Sequence, residues 1–155
     1  MASRSDPNSF GFLLTDTSRL YRAEFDRRVT EAGIGVTPGE ARTLVQAARA
    51  GMVRQSVLAE RMGVEAMTVS GYLDRLEANS LIERLPDPSD RRAKLVALTD
   101  KANDALARIR DVGNRLRDEV ALALPAGDWA ILNTSLRLLR DRLDGIRCER
   151  GGNAS

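Results

Sequence analysis

The stretch Val53–Thr99 limits what this chain can fold into more than any other, because its hydrophobic period changes within it. Leu58, Ala59 and Met62 form the inner side of a short helix that stops at Gly63. A second helix follows, with Val69, Tyr72, Leu73 and Leu76 at i, i+3, i+4, i+7 spacing, which is one apolar face. Its other face holds Met67, Ser70, Gly71, Asp74 and Ala78, with no bulky Leu or Ile. Asn79-Ser80 ends it. Leu81–Leu85 then reads as a strand, and Pro86 and Pro88 are expected to stop ladder pairing there. Ala93–Leu98 reads as the return strand, leaving Arg91 and Arg92 at the tip of a hairpin.

The flanks read as long helices. From Ser9, Phe12, Leu13, Leu20, Phe25 and Val29 recur at helical spacing up to Gly33-Ile34-Gly35, the pattern of a core helix or of one packed partly on a second subunit. Thr37-Pro38-Gly39-Glu40 has the elements of a helix start: a capping Thr, Pro at the first helical position, and Glu three residues after the cap. That helix runs to about Ala50, before Gly51. Thr99 is read as the cap of another, with a stripe of Ala102, Leu106, Ile109, Val112, Leu116 and Val120 that ends before Pro125. The last carries Trp129, Leu132, Leu136, Leu139 and Leu143 in 3, 4, 3, 4 spacing, the narrow seam of a coiled coil, expected to be core and a dimer contact. A polar tail follows from Arg147, expected to fray.

Composition removes several function classes. There is no histidine and a single cysteine, Cys148, so Cys/His zinc sites and His-dependent triads are ruled out by residue count. No Gly-rich phosphate loop or spaced carboxylate set is present, and neither enzyme activity, metal nor cofactor is expected. One cysteine cannot staple a fold, which fits a reducing compartment, and Cys148 reads as an incidental thiol. No apolar run approaches the roughly 18 residues of a membrane span. The segment MASRSDPNSF has no signal-peptide core. A cytoplasmic location is therefore expected.

Two short helices, the second with one bare face, and a basic-tipped hairpin describe a winged helix-turn-helix. The expected fold class is mainly α with a small β wing, the winged lobe carried on a helical frame. A helix bulky on one side and flat on the other can lie in a DNA major groove about 12 Å wide. Arginines at the hairpin tip can enter a minor groove, where narrow A·T tracts concentrate negative potential. Yet residues 54–94 hold seven basic and seven acidic side chains, a net of zero. The cationic surplus lies at the wing, where Arg84, Arg91, Arg92 and Lys94 stand against Asp87 and Asp90.

The segment resembles the MarR family of multiple-antibiotic-resistance-type regulators. The resemblance rests on Leu58-Ala59-Glu60-Arg61-Met62-Gly63, on Thr68-Val69-Ser70 with Leu73-Asp74-Arg75-Leu76-Glu77, and on the wing string Asp90-x-Arg92-x-x-x-Val96-x-Leu98-Thr99. It implies a single domain over 9–145, with residues 9–33 and 99–147 as dimerisation helices. The winged lobe would be 53–98, its helix-turn-helix about 57–80, and residues 1–8 and 148–155 flexible ends. It also implies a homodimer on a pseudo-palindromic double-stranded DNA operator, a transcriptional regulator acting as a repressor. A small aromatic or anionic effector would release it, with Tyr21 and Arg22 as weak candidates to bind that effector.

By the same resemblance Arg92 enters the minor groove, salt-bridged and oriented by Asp90, with Arg91 on the backbone nearby. Arg75, Gln55 and Ser56 hold phosphate. The chain departs from the family pattern in three places. Arg54 stands where Thr or Ser commonly caps, and is read as a phosphate contact. Glu65 replaces a capping Ser. Gly71 replaces a frequent Arg, leaving Ala66, Met67, Thr68 and Ser70 to read bases. Apolar contact with thymine methyls is then favoured over guanine readout, and an A·T-rich half-site is expected. The balanced charge and Gly71 keep a second reading open, a winged-helix protein-interaction module that does not bind DNA.

Overall fold

The computed structural model describes residues 6–152. Residues 1–5 and 153–155, parts of the ends expected to be flexible, lie outside the described residues. Six helices and three strands follow one another: α1 (Phe10–Glu31), α2 (Pro38–Ala50), β1 (Val53–Arg54), α3 (Gln55–Met62), α4 (Ala66–Ala78), β2 (Ile82–Asp87), β3 (Asp90–Leu98), α5 (Ala102–Ala121) and α6 (Asp128–Gly152). The chain divides into two compact units, Met1–Leu116 and Arg117–Ser155. No helix of the described residues is long and apolar enough to cross a membrane.

The core lies in the first unit, and the periodic residues meet there. Ala41, Leu44 and Ala47 of α2 pack with Leu58 and Ala59 of α3 and with Val69, Leu73 and Leu76 of α4. Val53, Ile82 and Val96 close it from the sheet, and Ala102, Ala105, Leu106 and Ile109 from α5. Thr37 caps α2 as expected: its hydroxyl accepts from the Glu40 N–H at 3.3 Å, and the Glu40 carboxylate accepts from the Thr37 N–H at 3.0 Å.

The sheet has the order β1-β3-β2, all antiparallel. Strand β1 was not anticipated; it pairs Val53 with Val96 and Arg54 with Leu95. Contrary to the expected stop at Pro86, β2 continues to Asp87 with Pro86 opposite Lys94. The reason is position. β2 is an edge strand, where a residue without an N–H need break no ladder bond. The turn itself is Pro88-Ser89, so Arg91 and Arg92 sit just beyond the tip rather than on it.

Ser80 ends α4 in the left-handed region, with φ 59°. The Leu81 N–H reaches back to the Leu76 carbonyl at 2.9 Å, closing a Schellman turn. Thr99 does not cap α5 with its side chain. Its hydroxyl donates to the Ser80 carbonyl at 2.6 Å and its N–H to that of Leu81 at 3.1 Å, tying the exit of the wing to the end of α4. A side chain in the left-handed region is strained where glycine is not. Ser80→Gly is therefore expected to raise stability by about 0.5–1 kcal/mol, seen as a higher urea midpoint at unchanged slope.

Two expected core stripes are exposed among the described residues, each within its own unit. On α1 only Val29 is buried, while Phe10, Phe12, Leu13, Leu14, Leu20 and Tyr21 are exposed. On α6 no described side chain is buried, and Leu132, Leu136, Leu139 and Leu143 are all exposed. Helix α6 runs to Gly152.

Candidate nucleic-acid interface

Helix α4 places its two faces as its spacing requires. Val69, Leu73 and Leu76 are buried, whereas Ala66, Met67, Thr68, Asp74 and Ala78 are exposed and Ser70 and Gly71 are half-buried. Met67, on the open side of the first turn, is 87% exposed. Glu65 is the N-cap residue and makes no side-chain cap bond. The first turn of α4 thus keeps unsatisfied N–H groups beside an acid. Gln55 and Ser56 begin α3, Gln55 half-buried and Ser56 exposed.

The wing is built differently from the sequence reading. Consecutive ladder partners of β2 and β3 are Pro86–Lys94 and Asp87–Asp90, so Arg91, Arg92 and Ala93 face no residue of β2. Both arginines are exposed on this bulged stretch. The Asp90–Arg92 ion pair expected from the sequence is absent. Instead the Asp90 carboxylate accepts from the Arg92 backbone N–H at 3.0 Å. The acid orients the main chain of the bulge and leaves the guanidinium uncommitted. Among the described residues, no ion pair involves Arg91, Arg92 or Lys94.

Other cations of the lobe are spoken for. Arg54, expected on phosphate, donates Nε to Asp87 Oδ2 at 2.6 Å and Nη2 to Ser89 Oγ at 2.9 Å. It bolts β1 to the base of the wing turn, which a capping Thr or Ser is too short to do. Arg84, counted above as a wing cation, donates to Glu77 at 2.7 Å and to Asp74 at 2.5 Å. Its charge is spent on α4. Arg91, Arg92 and Lys94 remain as the wing cations without an ion pair among the described residues.

Arg75 is shared between two environments. Its Nε donates to the buried carboxylate of Glu40 on α2, its guanidinium lies 5.5 Å from the Tyr72 ring centre, and the side chain remains 55% exposed. A cleft of about 590 Å³ opens beside it, walled by Val29, Ile34, Val36, Pro38 and Ala78. Neither Tyr21 nor Arg22 lines this cleft; both stand exposed on α1.

The acids of these networks titrate low. Ser89 donates to Asp87 from both hydroxyl and N–H, and with Arg54 these bonds outweigh burial and hold its carboxyl down at about 2. Burial pushes Glu40 up, but Arg75 and Thr37 outweigh it and leave the group below the ordinary range. A depressed carboxyl stabilises the fold above its unfolded-state pKa and loses that contribution as pH falls through the folded value. Stability is thus expected to fall as pH drops from 4.5, the ordinary value for Glu40, toward about 2, where Asp87 protonates. Asp87→Asn should flatten the lower part of that acid limb in melts recorded against pH.

This geometry can be set beside known proteins. The MarR family model matches residues 36–94, from the cap of α2 to the bulge of the wing. The crystal structure of transcriptional regulator PA3341 is 34% identical, with 88% of this chain and 99% of that one covered at a TM-score of 0.73. The chain belongs to the MarR family. Wild-type MarR from E. coli in its apo form is 22% identical and covers 87% of this chain and 98% of its own, with a TM-score of 0.73. The PcaV transcriptional regulator from Streptomyces coelicolor, solved with its natural ligand, is 22% identical, covers 91% and 98%, and has a TM-score of 0.67. As a MarR-family chain it has the winged-helix fold of transcription regulators.

The sequence reading missed the second partner of Glu40, the role of Ser89 and the structural role of Arg54. The capping box was visible at Glu40, but it accounts for only one carboxylate oxygen. No local pattern says where the other points.

Proposed function

We propose that this MarR-family chain is a sequence-specific DNA-binding repressor that acts as a homodimer on a pseudo-palindromic operator. The observation that carries the reading is the pairing, on one lobe, of an exposed α4 face without bulky aliphatics and a wing bulge whose arginines have no ion pair. Helix α4 lies in the major groove, with Ala66, Met67, Thr68 and Ser70 toward base edges. Arg92 enters the adjacent minor groove, presented by the Asp90 turn, and Arg91 meets the backbone. Gln55, Ser56 and Arg75 hold phosphates and set register.

The dimer is proposed from the uncovered apolar faces. A row of exposed leucines on α6 and of Phe and Leu on α1 is more than a soluble monomer ordinarily leaves open. A second copy covers them and places two α4 helices roughly 34 Å apart, one turn of duplex. Release by a small aromatic or anionic ligand draws on the solved PcaV complex with its natural ligand. Such a ligand favours a spacing of the two lobes that does not match the groove repeat.

Selection of random duplexes by the purified protein, paired with gel filtration, tests the reading. A pseudo-palindrome with A·T-rich half-sites and a dimer at micromolar concentration are expected. A monomer, together with no enriched duplex, returns the chain to the interaction-module reading. A guanine-dominated half-site removes the thymine-methyl readout.

A further inference from the structure

A glutamate at the third position of a helix ordinarily uses one oxygen to close the capping box and turns the other to water. Glu40 does not. One oxygen accepts from the Thr37 N–H, the other from Arg75 Nε, and the side chain is only 4% exposed. The charge is buried on α2, and its counter-ion comes from the last turn of α4, the helix assigned to the groove.

The way Arg75 is held matters as much as the pairing. Only the Nε edge is bound to Glu40, which leaves the terminal nitrogens for another acceptor. Nη1 lies 3.8 Å from where a Cβ on Gly71 would stand, so the guanidinium is laid back one turn along α4, over its bare face. The Tyr72 ring lies 5.5 Å from the guanidinium carbon. Two neighbours, Glu40 on α2 and Tyr72 on α4, therefore hold an arginine that would otherwise sweep a wide volume. An arginine ordered before it meets phosphate loses less rotamer freedom on binding.

We propose that Glu40 is a positioning residue for DNA binding: it orders Arg75 over Gly71 so that the terminal nitrogens meet a phosphate beside the major groove. The proposal rests on the DNA-binding reading above. It also accounts for Gly71. The frequent family arginine would compete for the space that Arg75 occupies, and in this chain the cation reaches that space from one turn further along the helix.

Charge alone makes the opposite prediction. Removing a negative group near a polyanion should tighten binding. Positioning requires that Glu40→Gln weaken it. Glutamine keeps an oxygen for the Thr37 N–H, so the cap survives while the ionic hold on Arg75 is lost. The test is fluorescence anisotropy over a salt series, with a labelled duplex of about 30 base pairs recovered by selection with the wild-type protein. Wild type, Glu40→Gln, Arg75→Ala and the double variant are compared.

Glu40→Gln should bind about 3- to 10-fold more weakly, with little further loss in the double variant. The slope of log affinity against log salt should fall by about one per subunit in Arg75→Ala, and by a large part of that in Glu40→Gln. A lowered melting temperature does not obscure this result, because a smaller folded fraction shifts the intercept and not the slope. Equal or tighter binding by Glu40→Gln overturns the proposal. So does an unchanged Arg75→Ala beside an Arg92→Ala that loses affinity, and in that case DNA binding by the wing stands. If the wild type enriches no duplex, the DNA-binding reading fails and the positioning role fails with it.

Discussion

Arg92→Ala is expected to weaken duplex binding by roughly 30- to 900-fold. Each minor-groove or base-edge arginine contributes on the order of 1–2 kcal/mol, and a dimer presents two copies. The wing has little to compensate. Arg54 and Arg84 are committed to Asp87, Asp74 and Glu77, leaving Arg91 and Lys94 as the only other wing cations without an ion pair among the described residues. Arg84→Ala is the matched control. It removes the same formal charge from the same hairpin, yet its guanidinium is already neutralised by two carboxylates of α4. It should change affinity by no more than a few fold and lower stability by about 1 kcal/mol or less, as partly exposed ion pairs do. Electrophoretic mobility shifts and thermal melts on the two variants decide the matter. If Arg84→Ala weakened binding as much as Arg92→Ala, binding would follow the number of charges and not their presentation.

The second large effect is expected from a methyl group. At Gly39, on the first turn of α2, an added Cβ would overlap the Tyr72 ring of α4, with the phenol oxygen only 2.6 Å away. The two helices touch here because one of them has no side chain. Gly39→Ala forces the ring aside or the helices apart, at a cost of about 1–3 kcal/mol. The displaced ring also leaves the Arg75 guanidinium, so duplex affinity should fall with stability. Tyr72→Phe should not relieve the clash, since ring carbons as well as the hydroxyl are in the way. Tyr72→Ala should relieve it, and in that background Gly39→Ala should be close to neutral. Denaturant melts of the four proteins give the coupling energy, and additive losses would rule out the contact as its source.

Much of the lobe was legible because its signals are local. The face of α4 follows from four apolar residues at helical spacing, and the start of α2 from the reach of a Glu side chain over one turn. The wing was legible only in outline. Whether Pro86 ends a strand depends on which neighbours that strand has, and only the order β1-β3-β2 makes β2 an edge. The Asp90–Arg92 string has the spacing of an ion pair, yet the nearest donor to the carboxylate is a main-chain N–H that the turn brings there.

The long helices mark another limit. Their seams showed that α1 and α6 have a face to bury, but periodicity is silent on whether that face is met within the chain. Within each unit taken by itself, these faces are exposed among the described residues.

What the sequence determined by itself is the helices, the two hairpin strands in outline and their faces, since helical and strand periods act over a few residues; the two-residue β1 is too short to carry such a period. It also excluded histidine chemistry by simple count. What only the tertiary structure decided is the disposition of charge. Of the seven basic residues between Arg54 and Lys94, the fold commits Arg54, Arg75 and Arg84 to carboxylates and leaves the bulge arginines without an ion pair. The physical reason is range. An ion pair forms between groups that folding brings within about 4 Å, whatever their separation along the chain, and Arg75 and Glu40 are 35 residues apart.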